Sequence, residues 1–165
     1  MKRKALFLSL FLIFLLIIPC LAWAWSARVL GVTDGDTIKV MGSHNKQVKI
    51  RLYGIDCPEK GQAFGKRAKQ FTSTMVFGKV VEVDVMDTDR YGRTVAMIYV
   101  DKILLNEELL KAGLAWVYYQ YCHEMICHAW ADYQFAAKLD KRGLWHDPNS
   151  IPPWEFRRQK RKGGK

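Results

Sequence analysis

Asp36, Asp56 and Glu59 are three carboxylates in short segments punctuated by glycine and proline, D-G-D-T over 34–37 and R-L-Y-G-I-D-C-P-E over 51–59. They offer hard oxygen ligands that suit Ca2+ or Mg2+ and not a soft metal. Arg51 opens the second segment, and Arg93 closes a third, D-R-Y-G-R over 89–93. Both guanidiniums present planar forks that match phosphate oxygens. A divalent cation, a carboxylate and two arginines together are what hydrolysis of a phosphodiester requires. The cation and arginines neutralise charge on five-coordinate phosphorus, and the carboxylate positions or deprotonates water. Taken singly, the same residues have plainer uses. Asp-Gly is an ordinary hairpin turn, and a lone arginine is an ordinary surface charge.

The elements that must position them alternate strand and turn signals first, then helical ones. β-type runs at 28–32 and 37–41 flank Asp34-Gly35, a hairpin dipeptide. Over 47–52, Val48, Ile50 and Leu52 fall on one face and Gln47, Lys49 and Arg51 on the other, which sets Arg51 opposite the core side of its strand. Gly54 and Pro58 end that run. Phe64, Ala68, Phe71 and Met75 recur at helical spacing over 62–77, and Gly78 stops the helix. Val81, Val83 and Val85 alternate with Glu82 and Asp84, and 94–100 is a more fully apolar strand. Asn106 is placed to cap a short helix that Gly113 ends, and a last helix is expected over 129–141. Five strands with helices after the third and fifth fit an α+β fold, a five-stranded OB-type β-barrel with about three helices.

The ends of the chain read differently from its body. Met1 to Lys4 is basic, 5–18 is an apolar run, and Ala22-Trp23-Ala24 carries small residues at signal-peptidase spacing. That order is a secretory signal peptide over 1–24, with an uncleaved membrane anchor as the alternative. The net charge is +10, of which Lys2, Arg3 and Lys4 supply three. Residues 151–165 form a basic C-terminal tail after a single-domain body over 25–150, and the body itself is close to neutral. Such a tail is either a polyanion-binding arm or a solvated run. In an oxidising compartment Cys122 and Cys127 could pair, which requires non-helical geometry between them. A zinc site with His123 and His128 is the rival use, although the spacing matches no common structural zinc site. Cys57 is left unpaired.

The segments V-T-D-G-D-T over 32–37, R-L-Y-G-I-D-C-P-E over 51–59 and D-R-Y-G-R over 89–93 resemble the signature of the staphylococcal nuclease family, in its order and with similar spacing. Asn106-Glu107, the stretch from Ala112 to Ala115, and Gly143-Leu144-Trp145 extend the resemblance to 28–145. It implies a calcium-dependent, sugar-nonspecific endonuclease that acts on DNA and RNA and leaves 3′-phosphate ends. By the same resemblance Asp36 and Asp56 are calcium ligands together with the backbone carbonyl of Cys57. Glu59 matches the general base, and Arg51 and Arg93 match the two phosphate-binding arginines. Tyr119 and Tyr121 fall where the family places tyrosines near the nucleotide, and Tyr91 is a further substrate-contact candidate. Cys57 replaces a threonine, and the stretch after Glu59 is shorter than in the founding enzyme. A monomer without an obligate protein partner is expected, exported or held by a membrane tether if the leader stays. The same fold also occurs as a non-catalytic nucleic-acid-binding module, from which the intact acidic and arginine set separates this chain.

Overall fold

The structure, a computed structural model, describes residues 24–163; the expected leader lies outside the described residues except for Ala24. Strands β1 (Ala24–Asp34), β2 (Thr37–Met41) and β3 (Gln47–Leu52) form an antiparallel meander. The two-residue β4 (Ile55–Asp56) follows, then helix α1 (Gly65–Val76), β5 (Val80–Thr88) and β6 (Thr94–Val100). β1 pairs with β5 and β5 with β6, and a parallel pairing of β3 with β6 closes the sheet into a five-stranded barrel. This is the OB-type α+β architecture expected. Closure leaves the barrel strands without a free edge, which a small sheet otherwise exposes.

β1 is longer than its sequence run because it serves two neighbours. Its first residues, from Ala24 to Arg28, pair with β5, and those from Val29 to Asp34 pair with β2. Register shifts beside Gly31 and Val32 turn the strand around the barrel corner. Inward residues follow the alternation: Ile38, Val40, Ile50, Leu52 and Val83 are fully buried, each contributing roughly 1.5–3 kcal/mol relative to exposure.

The helices cover the barrel. After β7 (Ile103–Leu104) comes α2 (Leu105–Lys111), and after β8 (Trp116–Val117) comes α3 (Ile126–Leu139). Leu105, Leu109 and Leu110 of α2 and Trp130 of α3 are buried in the same core as the barrel side chains. Asn106 is not a cap. It lies inside α2, fully buried, and its side chain donates to the Tyr53 carbonyl at 2.9 Å and accepts from the Ile98 amide at 3.3 Å. Cys122 and Cys127 form a disulfide, with Tyr121 to Met125 outside regular α-helix and α3 starting at Ile126. The disulfide removes the zinc reading.

A fourth helix, α4 (Pro153–Gly163), occupies the stretch read from sequence as a tail. Pro153 at its first position is buried, residues through Arg157 are half-buried, and Arg158 onward is exposed. Pro is suited to the first turn because its missing N–H has no helical partner there. The helix is therefore seated at one end and solvated at the other.

Candidate active site

The carboxylates meet where β2 begins and β3 ends. Thr37 pairs with Arg51 across the β2–β3 ladder, and the Leu52 amide donates to the Asp36 carbonyl at 2.8 Å. That register brings the Asp36 and Arg51 side chains together. One Arg51 Nη donates to Asp36 Oδ1, and the other donates to Asp56 Oδ1 at 2.6 Å and to the Ile55 carbonyl at 3.2 Å. Arg51 sits opposite the core face, as the alternation implies, yet its side chain is only 17% exposed because the carboxylates cover it. Asp36 Oδ2 accepts from the Cys57 amide at 2.5 Å. Asp56 is wholly buried, on the two-residue ladder between β4 and β8.

Gly35 lets this cluster sit directly on the core. A Cβ at that position would lie 2.7 Å from both Ala68 Cβ of α1 and Cys57 Cβ. Thr72, one turn further along α1, donates to the Gly35 carbonyl at 2.5 Å. Helix α1 thus holds the β1–β2 turn, and with it Asp36, by backbone contact.

Glu59 stands on the turn after Pro58, partly open to solvent, with its amide bonded to Gln62 Oε1 at 3.0 Å. It meets the other carboxylates through a residue absent from the sequence expectation. Arg157 of α4 donates to Asp56 Oδ1 at 3.2 Å, to Asp56 Oδ2 at 2.8 Å and to Glu59 Oε1 at 2.5 Å. Trp154, one turn earlier, stacks on Tyr118 with ring centroids 4.9 Å apart and planes 7° from parallel. Gln62 donates to the Ile151 carbonyl at 2.8 Å and ties the start of this segment to the Glu59 turn.

Burial sets the electrostatics. It pushes the Asp36 carboxyl up to about 6, a rise that Arg51 only partly opposes and Asp34 reinforces. Burial likewise raises Asp56 against the pull of Arg51, and raises the Cys57 thiol well above its ordinary range. For Arg51 and Arg157, burial works against the charge, but the facing carboxylates outweigh it and hold both guanidiniums firmly protonated. Three carboxylates, those of Asp36, Asp56 and Glu59, thus pair with two guanidiniums, while Asp34 adds its charge beside Asp36 and keeps one buried oxygen without a hydrogen-bond partner. Hard oxygen donors with surplus negative charge fit a divalent cation. Among the described residues no three acidic, histidine or cysteine side chains close on one point, because Arg51 and Arg157 stand between the carboxylates.

The other expected site residues lie apart from this cluster. Arg93 immediately precedes β6, whose Val95 pairs with Arg51. Its guanidinium is paired with Asp89 at 2.6 Å and is not bonded to Asp36, Asp56 or Glu59. Asp89 also accepts from the Tyr91 and Arg93 amides, which makes the 89–93 turn a rigid mount, and these bonds lower its pKa despite desolvation. Tyr91 is exposed, with Arg90 and Arg93 over its ring. Tyr119 and Tyr121 are exposed on a short 3-10 turn just after β8, close in sequence to Trp116, the ladder partner of Asp56. Gly54, at φ +67°, holds that turn. Its carbonyl accepts from the Tyr118 amide at 2.8 Å, and a Cβ there would strike Cys122 Sγ and the Trp130 ring at 2.7 Å.

The family model described as "Staphylococcal nuclease homologue" matches residues 49–147. The chain belongs to the staphylococcal nuclease family. The match spans Arg51, Asp56, Glu59 and Arg93 and stops before α4. Among curated relatives, an "Uncharacterized endonuclease" of Haemophilus influenzae is 41% identical over 160 residues, covering 97% of this chain and 88% of the relative. The "Micrococcal nuclease" of Shigella flexneri is 35% identical over 153 residues, covering 87% of each. "Protein ParB" of Escherichia coli is 37% identical over 154 residues, covering 87% of this chain and 86% of the relative.

Arg157, Trp154 and Tyr118 escaped the sequence reading. A usable signal was present: Trp154 and Phe156 sit in an otherwise basic run behind two prolines, and a purely solvated tail has no use for such aromatics.

Proposed function

We propose that this nuclease is an exported, calcium-dependent, sugar-nonspecific endonuclease that hydrolyses phosphodiester bonds of DNA and RNA. The observation that carries the reading is the pair of buried carboxylates, Asp36 and Asp56, joined by Arg51 at the barrel mouth with Glu59 on the adjoining turn. Asp36 and Asp56, with the Cys57 backbone, would hold the calcium ion. When bound, calcium would offset negative charge on the phosphate oxygens as the attacking water adds. Glu59 is exposed enough to take a proton from that water. Arg51 is held in a fixed orientation by its two carboxylates and presents a preorganised positive charge to the phosphate, which costs no rearrangement during reaction. Arg93 supplies the second such charge from the 89–93 turn, and its release from Asp89 accompanies substrate binding. Tyr91, Tyr119 and Tyr121 are exposed aromatic faces on which unstacked bases can lie, which favours single strands without base specificity.

Cleavage of single-stranded DNA and RNA by the purified protein, with calcium and then with a chelator, tests this beside Glu59→Gln. Calcium-dependent cutting that collapses in the variant supports it. Tight binding without cutting under every divalent cation tried replaces it with the non-catalytic binding module. Export rests on the 1–24 leader pattern, and N-terminal sequencing of the protein outside the cell separates a cleaved leader from a membrane tether. No helix among the described residues is long and apolar enough to cross a membrane.

A further inference from the structure

We infer that Arg157 is an internal occupant of the cation site, so that helix α4 and a divalent cation exclude one another at Asp56. The inference rests on the reading of Asp36 and Asp56 as the cation ligands with Glu59 beside them. Both oxygens of Asp56 are engaged: Oδ1 by Arg51 at 2.6 Å and by Arg157 at 3.2 Å, and Oδ2 by Arg157 at 2.8 Å. The same guanidinium also reaches Glu59 at 2.5 Å. A cation that takes Asp56 oxygens as ligands therefore meets positive groups already bonded to both of them. A hard cation needs those lone pairs, and the Arg157 guanidinium must leave at least the Asp56 fork before they are free.

The contact is built and not incidental. Trp154 is stacked flat on Tyr118 and meets Trp116 edge-on at 5.9 Å. Pro153 is buried, and Gln62 holds the Ile151 carbonyl. These three anchors set the first turn of α4 so that Arg157, one turn on, faces the carboxylates. Arg51 is different, since it belongs to β3 and its position is fixed by the barrel. Arg157 rides on a terminal helix whose far half, Arg158 to Gly163, is exposed. Its side chain is about a third exposed and has solvent to withdraw into, and beside the carboxylates it offsets part of their negative charge in the cation-free site.

When the binding-competent state is only a fraction of the population, apparent affinity falls by that fraction. Removing the internal competitor should therefore tighten calcium binding. The measurement is calcium affinity by isothermal titration calorimetry on the purified protein, Arg157→Gln, Trp154→Ala and Asp56→Asn. Arg157→Gln should bind calcium about tenfold or more tightly than the parent. Trp154→Ala keeps every carboxylate and Arg157 in the chain but removes the aromatic one of the three anchors, and should tighten binding in the same direction. Unchanged or weaker calcium affinity in Arg157→Gln overturns the inference, and weaker binding would make Arg157 a support of the site and not a competitor. If Trp154→Ala alone fails to tighten binding, the seating of α4 is not what holds Arg157 in place, and that part falls. Parent binding that is lost in Asp56→Asn shows the cation reading to stand whichever way Arg157 goes. Absence of calcium binding in the parent and in Arg157→Gln removes the cation reading and this inference together.

Discussion

Arg51 and Asp56, five residues apart in the chain, are joined by a 2.6 Å ion pair in which the aspartate is wholly buried and the arginine nearly so. The same guanidinium also pairs with Asp36, so one positive charge is shared between two buried carboxylates. Arg51→Ala would strand both. Removing one partner of a buried pair costs about 3–5 kcal/mol, because the uncompensated charge stays behind. Urea unfolding of the variant in chelator should show a loss of that order, and a loss below about 1 kcal/mol would contradict the buried-bridge account. Calcium should restore part of the stability, since it supplies positive charge to the same oxygens.

Arg93 makes the opposite expectation. Its pair with Asp89 is partly exposed and short in sequence reach, so it adds little to the fold. Arg93→Ala should shift stability by less than about 1 kcal/mol while lowering turnover roughly 10²–10³-fold, the usual scale for losing one preorganised charge at a transition state. Near-normal single-turnover rates at saturating calcium would remove Arg93 from the reaction.

Asp36 ties stability to pH. Its folded value of about 6 lies above the ordinary 3.8 because burial disfavours the charged form. A carboxyl raised on folding contributes stability that is complete below about pH 4 and is lost as pH rises through about 6. Urea midpoints in chelator across that window should fall with rising pH more steeply in the parent than in Asp36→Asn. The same proton must leave before a cation is held, so calcium affinity should rise over the window. Parallel midpoint curves, or calcium affinity that is flat from about pH 4 to about pH 7, would count against this.

Asn106 serves the packing of the fold. It bridges the Tyr53 carbonyl and the Ile98 amide from inside α2, linking the end of β3 to β6 and the helix layer. Asn106→Ala leaves two buried backbone groups without partners and should cost about 2 kcal/mol. Chemical denaturation reads the loss directly, and calcium affinity at a temperature where the variant is folded should match the parent.

The exposed half of α4 carries Arg158, Lys160, Arg161 and Lys162. If these reach phosphates along the substrate, replacing all four by Gln should flatten the dependence of single-stranded DNA binding on salt. The logarithmic slope should change by about 0.7 for each phosphate that is no longer neutralised. An identical slope would mean that the solvated end of the helix does not touch nucleic acid.

The barrel was legible because its information is local. Alternation over Gln47–Leu52 and over 81–85, with Asp34-Gly35 between two β-type runs, places the strands and orients Arg51 without reference to anything distant. Arg51 and Asp56 lie five residues apart in one motif, so the segment that marks both as site residues also brings them together, although their pairing was not itself read from the sequence. Arg157 joins Asp56 across 101 positions, and nothing in a basic run specifies which carboxylate it will meet. Asn106 shows a different failure. A residue that caps a helix and one that satisfies buried backbone groups share the same amide chemistry, and only the packing of α2 onto β6 decides between them. Helix α3 begins at Ile126, three residues before the start that its sequence suggests, within a segment whose geometry the Cys122–Cys127 bond constrains.

Gly35 leaves no compliant layer between helix α1 and the first carboxylate. Ala68 and Thr72 bear on the turn itself, and Asp36 is the next residue along. Displacement of α1 therefore passes to the Asp36 carboxylate almost undamped. A side chain enlarged at Ala68 would press toward the Gly35 backbone, so the helix acts as an adjusting screw on the site. The hydrophobic interior and the reaction chemistry are then tuned through the same point of contact, and substitutions that merely repack α1 should show up as changes in turnover before they show up as changes in fold.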